Sequence, residues 1–425
     1  MKQKIKQILY EIRRQPLISG VTFVATVLSV FLIMIVVIIQ RVSVVPFSPE
    51  SCRDRMLVGQ YIHMRTEGGE WSGGASLMLS RKLYEGLDGV EHVSYIERFL
   101  NPLLVKGSTE NSFTAESRKV DADFFKIFDH PLISGRYFTS DEYEAHLPVA
   151  VISESTARKA FGTVDCENMT ILIDHRKFTV TGVVKDNSRL ATTASGDIFV
   201  PHDAPAPQSS ENNKLNDYFG PISAVLLVKE GVDFQSIRDQ VKSRYAIIDT
   251  EVKPLGCSTV YHESPYDQET LSTGMHGSNA TPDASGARKS RYFIYAILLI
   301  VPAINLSSLL HSRMRRRVAE IGVRRAYGCT RLRVIADIIW ENFLITLAGG
   351  IVGVALGVIF AMTYSGLYED MDTYGSNLTP ALSAVINWST ITIALCVCFI
   401  LNLISASVPA WQASRINPVE AINAK

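Results

Sequence analysis

Residues 17–39 read LISGVTFVATVLSVFLIMIVVII, a run of 23 residues without a charged side chain. At ~1.5 Å per residue, a helix of this length is about 35 Å long and can cross a ~30 Å hydrocarbon core. The run is too long for the apolar part of a cleaved signal peptide, and no small-residue cleavage site follows it. We therefore predict an uncleaved anchor that forms a first transmembrane helix.

The segment before this run is basic and amphipathic. Its apolar residues recur at helical spacing, which predicts a short helix on the inner membrane surface. The basic residues are Lys2, Lys4, Lys6, Arg13 and Arg14, and the apolar ones are Ile5, Ile8, Leu9 and Ile12.

Three further apolar blocks follow near the C-terminal end of the sequence. The first of them contains Pro302 and Asn305, which are costly against lipid, so we predict a kinked helix packed against other helices. The other two blocks cover residues 338–364 and 388–408. With the first run, they predict four transmembrane helices.

The charges between these blocks predict the topology. Residues 41–289 hold 26 basic and 34 acidic residues, a net charge of −8, and the remainder of the chain has a net charge of +8. Eight arginines lie between the second and third blocks, whereas the loop 365–387 has Glu369, Asp370 and Asp372 but no basic residue. The positive-inside rule then places both termini and the arginine-rich segment in the cytoplasm. A nucleic-acid partner is not expected, because the basic residues border apolar blocks instead of forming one face.

The predicted fold is a membrane domain of four helices with a large mixed α/β extracytoplasmic domain inserted between helices 1 and 2. The predicted boundaries are a cytoplasmic amphipathic helix at 1–16, helix 1 at 17–39, the extracytoplasmic domain at 40–290, helix 2 at 291–311, a cytoplasmic segment at 312–337, helix 3 at 338–364, an extracytoplasmic loop at 365–387, helix 4 at 388–408 and a cytoplasmic tail at 409–425.

Within the outer region, strand and helix patterns alternate. Residues 148–152 predict a strand, followed by a helix that Ser153 or Ser155 caps and Gly162 ends. Residues 171–173 and 178–184 predict a hairpin, and 222–228 a further strand. Asp233 predicts the start of a helix with Ile237, Val241 and Tyr245 on one face. Residues 204–216 and 272–290 have the composition of loops.

The sequence contains no pattern that predicts catalysis, a metal site or a cofactor. Phosphate-loop, H-E-x-x-H and G-x-S-x-G motifs are all missing from the 425 residues. Asp121 and Asp123 are better explained by a solvated strand-to-helix junction than by an acid/base pair. Cys52, Cys166 and Cys257 leave room for one disulfide at most, and none is indicated by their spacing.

The stretch 320–328, EIGVRRAYG, is the most informative part of the predicted cytoplasmic segment. The positive-inside rule explains its arginines but not Glu320 or the flanking glycines. Gly328 is expected to end a short helix, and Thr330 to cap the next. A short surface helix that carries charges of both signs suits a partner's groove, although a solvated loop that anchors topology is the alternative.

This stretch closely resembles the signature of the FtsX/MacB-type ABC transporter permease family, of type VII or mechanotransmission type. Tyr327 and Cys329 replace the commoner aliphatic residue and alanine. The glycines near Gly353 and the tail 409–422, PAWQASRINPVEAI, resemble further family segments. The outer region from Val120 to Asp186 looks like the periplasmic core domain of MacB-like permeases.

The resemblance implies a dimeric permease subunit in the bacterial inner membrane, whose large domain is periplasmic. It implies a separate ABC ATPase subunit, because the chain starts directly at the first predicted helix, and a second copy or close relative of the permease. Membrane lipid and a periplasmic or outer-membrane protein are further expected partners. Such systems export or release peptides, drugs or lipoproteins, or control envelope partners. The expected ATPase-coupling residues are Glu320, Ile321, Gly322, Val323, Arg324, Arg325, Ala326 and Gly328.

A membrane-anchored sensor or adhesion protein without an ATPase is the alternative function. A sensor would need an output domain, however, and the longest predicted cytoplasmic segment is under 30 residues.

Gly349, Gly353 and Gly357 are spaced four residues apart, so they share one face of the predicted third helix. A face of small residues allows close packing of membrane helices. The sequence leaves two partners open for this face: a second copy of the chain, or the first or fourth helix of the same chain.

Overall fold

The computed structural model describes residues 16–109, 111–187, 191–203, 211–272, 281–290 and 326–363, with single residues between 292 and 323 and between 391 and 411. The chain divides into two compact units, which are described separately. The first comprises Met1–Arg41, Arg288–Leu367 and Val385–Lys425, and the second comprises Val42–Ala287 and Tyr368–Ala384.

The second unit is a mixed α/β domain. Its strands are β1 (Met56–Gly59), β2 (Tyr61–Thr66), β3 (Gly69–Gly74), β4 (Val90–Glu97), β5 (Asn101–Lys106), β6 (Phe113–Val120), β7 (Leu132–Gly135), β8 (Val149–Ser153), β9 (Thr170–Ile173), β10 (Arg176–Val184), β11 (Ile198–Pro201), β12 (Ile222–Val228), β13 (Ser258–Val260) and β14 (Tyr266–Asp267). Its helices are α2 (Leu77–Tyr84), α3 (Phe124–Ile127), α4 (Ser140–Glu144), α5 (Glu154–Phe161), α6 (Phe234–Val252) and α7 (Gln268–Leu271), with 3-10 turns at Arg53–Arg55, Glu211–Tyr218 and Lys253–Leu255.

Six strands of this unit close into a ring, which we call the barrel lobe. The order β11-β8-β10-β9-β5-β6 is continuous, and β11 also pairs with β6 in parallel, from Ile198 opposite Ser117 to Pro201 opposite Val120. Each of the six strands therefore has a partner on both sides, and the ring has no free edge. Branched aliphatic side chains fill its core together with α5, among them Ile152, Ile171 and Val180, all fully buried.

The remaining strands form an open-sheet lobe. The main sheet continues from β6 through β4, β12 and β1 to β14, and a separate three-stranded sheet has the order β13-β2-β3. Helices α2 and α6 supply Leu79, Leu83, Ile237 and Val241 to the core of this lobe. The periodicity of α6 explains its placement, because its apolar residues recur every three to four positions and so share one face.

Several local predictions are confirmed. β8 is the predicted strand, and the Ser153 hydroxyl accepts a hydrogen bond from the Thr156 N–H at the start of α5. Gly162 ends that helix with a φ of +74°, a conformation that favours glycine. β9 and β10 form the predicted hairpin, β12 coincides with the predicted strand, and Asp233 caps α6.

Two predictions about loops are wrong in part. Within 204–216, residues from Glu211 onward belong to a 3-10 turn. Within 272–290, residues 284–290 are helical. The Asp283 carboxylate accepts a hydrogen bond from the Gly286 N–H at 2.8 Å, which stabilises a helix start that the small-residue composition concealed.

Two long helices are described in the first unit. Helix α1 covers Pro16–Val44 and helix α8 covers Arg331–Thr363. In the described part of the chain, no helix meets both the length and the hydropathy required of a membrane-spanning segment.

Candidate functional site

The predicted coupling stretch is described only at its C-terminal end. Glu320, Ile321, Gly322, Arg324 and Arg325 lie outside the described residues. Val323 and Ala326 are helical, and the Tyr327 N–H donates to the Val323 carbonyl at 3.1 Å. Gly328 follows with a φ of +89°, which confirms that a glycine ends this short helix.

Thr330 then begins the next helix. Its carbonyl accepts hydrogen bonds from the N–H groups of Arg333 at 3.1 Å and Val334 at 3.2 Å, so its position as N-cap of α8 is confirmed. Between the two helices the Tyr327 side chain is 88% exposed, and that of Leu332 is 79% exposed. Two large apolar side chains thus stand beside a tight turn, where a protein partner can contact both of them.

The glycine row of α8 faces α1 of the same chain. A Cβ on Gly353 would lie 2.7 Å from the Val30 Cβ and 2.8 Å from the Val27 carbonyl oxygen, and one on Gly357 would lie 2.7 Å from the Met34 Cβ. Gly349 contacts Thr26 in the same way, at 3.0 Å. The face is thus occupied by the first helix of the same chain, one of the partners that the sequence left open, and glycine is required because no side chain fits.

The segment that leaves α1 is held tightly within the second unit. We call residues 45–53 the junction segment. Glu50 and Arg53 are buried, at 0% and 2% exposed, and the Arg53 Nε donates to a Glu50 carboxylate oxygen at 2.5 Å. The Arg53 guanidinium also lies 4.2 Å from the centre of the buried Phe47 ring. The Asp129 N–H donates to the Pro49 carbonyl at 2.9 Å, which ties the segment to the residues after α3.

Glu50 also holds residues 191–196, which we call the clamped loop. Its other carboxylate oxygen accepts hydrogen bonds from the N–H groups of Thr193 at 2.9 Å and Ala194 at 3.0 Å. From the barrel wall, the buried Arg118 donates to the carbonyls of Ser195 at 2.8 Å and Thr192 at 3.0 Å. Burial lowers the pKa of Arg118 to about 10, so it remains a cation at neutral pH.

Sequence patterns gave no signal for this arrangement. Glu50 and Arg53 are three residues apart, like countless solvated surface pairs, and Arg118 lies in a strand next to another cation, Lys119. The nearby Phe47, in an otherwise polar stretch, is the one hint that the segment is buried.

Asp121 and Asp123 do not form a catalytic pair. They lie at the predicted strand-to-helix junction between β6 and α3, but Asp121 is 7% exposed and not solvated as predicted. Its carboxylate accepts hydrogen bonds from the Ser94 hydroxyl at 2.6 Å and the N–H groups of Tyr95 at 2.8 Å and Phe124 at 3.1 Å. Burial raises the pKa of Asp121 to about 7 against these donors. A carboxylate whose acceptors are this fully used is a structural fastener.

The three outer cysteines are free thiols. Cys166 and Cys257 are buried and Cys52 is half-buried. Burial raises the pKa of the Cys166 thiol to about 11, which makes it unreactive in the folded domain.

Comparison with known proteins follows the same division of the chain. The family model of the MacB-like periplasmic core domain matches residues 18–244, and that of the FtsX-like permease C-terminal region matches residues 292–418. The first match alone covers more than half of the chain.

Individual relatives are distant. The Pyoverdine export ATP-binding/permease protein PvdT of Pseudomonas aeruginosa is 24% identical over 308 residues, which cover 71% of this chain and 41% of that protein. The Uncharacterized ABC transporter permease YknZ of Bacillus subtilis is 20% identical over 345 residues, covering 80% of this chain and 77% of its own. The solved periplasmic region of MacB from Actinobacillus actinomycetemcomitans is 16% identical, with a TM-score of 0.35 over 53% of this chain and 94% of its own.

The chain thus spans less than half the length of the relatives that join an ATP-binding part to a permease, such as the pyoverdine exporter. It nevertheless carries both segments that define the permease part, in the same order. The chain belongs to the FtsX/MacB-type ABC transporter permease family.

Proposed function

We propose that this chain is the permease subunit of an ABC system that relays the ATP-driven motion of a separate ATPase subunit to its outer domain. Four helices would span the bacterial inner membrane, with both termini in the cytoplasm and the outer domain in the periplasm. The relayed motion would export or release a peptide, drug or lipoprotein, or control an envelope partner.

The observation that carries the proposal is the joint match to both permease segments in one sequence without a phosphate-binding loop. The permease part supplies no group that can hold ATP and Mg²⁺ through that motif. We therefore assign ATP hydrolysis to a partner that docks at residues 320–328.

The described residues supply a continuous path for such a relay. The turn at Gly328 leads directly into α8, and the glycine row of α8 packs against α1 without intervening side chains. Helix α1 continues into the junction segment, where the buried pair of Glu50 and Arg53 fastens the chain to the clamped loop. Close packing and buried hydrogen bonds resist deformation, so displacement at one end of the path is transmitted to the other.

We further propose that two permease chains assemble, as identical copies or close relatives. ATP-binding subunits of ABC systems act in pairs, and one chain has one coupling stretch. Because α1 occupies the glycine row of α8, the contact between the two chains belongs to another surface. The mass of the complex purified in detergent tests this point: we expect two permease chains for two ATPase chains, and a single permease chain for two ATPases would contradict it.

Charge reversal in the coupling stretch tests the proposed docking. The full chain is purified from native membranes, co-purifying proteins are identified by mass spectrometry, and ATP hydrolysis of the eluate is measured. We expect an ATPase to accompany the wild-type chain and Glu320→Lys to lower ATP hydrolysis several-fold, because desolvated charge pairs at an interface cost more to reverse than exposed ones. The control is Glu369→Lys, which reverses a charge in the acidic loop 365–387. Normal ATPase binding and stimulation by Glu320→Lys would contradict the proposal.

A further inference from the structure

Two histidines and a glutamate converge on one face of the small sheet in the open-sheet lobe. His63 in β2 pairs with Val260 of β13 on one side and with Ser72 of β3 on the other. Glu70 is two residues from Ser72 and His262 is two residues beyond Val260. Since side chains alternate along a strand, all three point to the same side. The neighbouring Ile62 and Met64 point to the opposite side, into the core of the lobe.

The three side chains are close enough to share an ion. The His262 Nε2 lies 2.7 Å from the Glu70 Oε1, and the His63 and His262 rings are 4.4 Å apart between centres, at 78° to each other. One ligand atom from each residue can be chosen so that all three lie within 4.8 Å of one another. A zinc ion with bonds of about 2.0–2.1 Å holds its ligand atoms roughly 3.3 Å apart, so small side-chain rotations close the set.

His63 is the residue that a simple ion pair does not explain. It is 2% exposed, and neither ring nitrogen has a hydrogen-bond partner. An unsatisfied buried polar atom costs about 1–3 kcal/mol, and native proteins rarely retain two on one ring. A pair of His262 and Glu70 alone would be satisfied without His63, whereas a metal ion uses a lone pair of its ring.

The surroundings of the other two ligands match those of metal sites. The His262 Nδ1 lies 2.9 Å from the Thr281 Oγ1, which leaves Nε2 directed toward Glu70. The buried Tyr266 hydroxyl donates to the His262 carbonyl at 2.7 Å, and Arg65 donates to the second oxygen of Glu70 at 3.1 Å. Such outer contacts orient ligands in known metal sites. An ion between Nε2 and Oε1 would replace the proton that joins these atoms now.

We propose that His63, Glu70 and His262 bind a divalent transition-metal ion, with zinc the best match to two imidazoles and one carboxylate. The ion would join β2, β3 and the segment after β13, and it would keep one coordination position for water or a ligand. The sequence gave no hint of this site, because its members are separated by up to 199 residues, and we expected no metal from the sequence. The proposal does not rest on the permease function.

Metal uptake by the full chain tests it. The purified chain in detergent is stripped with a chelator and dialysed against zinc ion alone, and bound metal is counted by mass spectrometry. We expect one zinc ion per chain, and more than about tenfold weaker binding for His63→Ala and for Glu70→Gln. The matched control is His175→Asn, which removes an exposed histidine while tolerating its φ of +66°; it should bind zinc normally.

Two measurements keep the test decisive if a variant folds poorly. Glu70→Gln preserves a hydrogen-bond partner for His262, and its circular dichroism should match that of the wild type. Cobalt in place of zinc should give the visible bands of nitrogen and oxygen ligation without a thiolate charge-transfer band. A folded wild-type chain that takes up no zinc, unchanged affinity in both ligand variants, or thiolate ligation of cobalt would each overturn the proposal.

Discussion

At the scale of single residues, the buried ion pair of the junction segment governs how firmly the chain is attached to the outer domain. Glu50 serves Arg53, Thr193 and Ala194 at once, so its removal leaves a buried guanidinium and two amide groups without an acceptor. Desolvation makes a buried pair a weak source of net stability, but breaking it on one side is costly.

Glu50→Ala should therefore lower the free energy of unfolding of the outer domain by about 3–5 kcal/mol. The measurement is the denaturant concentration at which the buried Cys166 thiol becomes reactive in the full chain. The control is Glu142→Ala, which breaks an ion pair with the half-exposed Arg136 and should cost about 0–1 kcal/mol. Equal effects of the two substitutions would show that the junction segment is not a fastener.

His202 adds a pH dependence to the stability of the same domain. Its Nε2 lies 2.9 Å from the Tyr95 carbonyl, and burial, with help from Lys119 and Arg81, lowers its pKa to about 4 against the opposing effect of Asp203. The unfolded chain takes up this proton near pH 6.5, and the native state only near pH 4. The stabilisation is complete above pH 6.5 and is lost as the pH falls toward 4.

His202→Gln should therefore flatten the fall in unfolding free energy between pH 6.5 and 4, by at most about 1.4 kcal/mol per pH unit. Denaturant titrations of both chains across this range measure the slope. Asp121 works in the opposite direction, because its raised pKa stabilises the fold at low pH and that contribution is lost as the pH rises toward 7. His175→Asn, at an exposed turn, should leave the slope unchanged; a wild-type slope in His202→Gln would refute the assignment.

The residue scale also separates what sequence patterns can predict. The caps Ser153, Asp233 and Thr330 and the helix-ending Gly162 and Gly328 act through neighbours two to four positions away, so local sequence was sufficient. Glu50, Arg118 and His63 act on partners 74 or more residues distant. Their roles depend on strand pairing, which no short pattern encodes.

At the scale of elements, the contact between α1 and α8 depends on the absence of side chains. Gly353→Leu should separate the two helices, since its Cβ alone would lie 2.7 Å from that of Val30. Overpacking of this kind costs about 1–3 kcal/mol. We expect a lower thermal midpoint of the full chain in detergent.

The matched control for this prediction is Gly20→Leu. Gly20 lies on α1, and no atom lies within 4 Å of a Cβ built there, so the substitution should leave the thermal midpoint nearly unchanged. If Gly353→Leu is equally harmless, the glycine row is not a packing surface within the chain.

Individual strands were easier to predict than their arrangement. The period-two patterns of β8, β10 and β12 are strong, and each element was located within two or three residues. Closure of the barrel lobe was missed, because the pairing of β6 with β11 joins residues about 80 positions apart and depends on register. The short β1 and β2 were missed because their buried apolar residues are too few for a period.

At the scale of the whole molecule, the proposed topology predicts opposite accessibility for two exposed positions. A cysteine at Glu67, in the turn between β2 and β3, should react with an impermeant thiol reagent added outside the inner membrane. A cysteine at Leu332, 79% exposed at the start of α8, should react only after the cytoplasm is opened. Both are placed in a cysteine-free chain, with the unreactive Ser117→Cys as control, since Ser117 is 2% exposed. Labelling of Leu332→Cys from outside would contradict the topology.

The closed ring of strands has a consequence for when the outer domain acquires its structure. Its last strand, β11, lies about 80 residues after β6, and β1 has to wait for β12, some 168 residues later, before it gains its antiparallel partner. Contacts this distant along the chain slow folding, because a large loop closes before any interaction compensates its lost entropy. The domain therefore cannot mature piece by piece during synthesis. It passes through a long interval with unpaired strand edges, during which chaperones and proteases have their main opportunity to act.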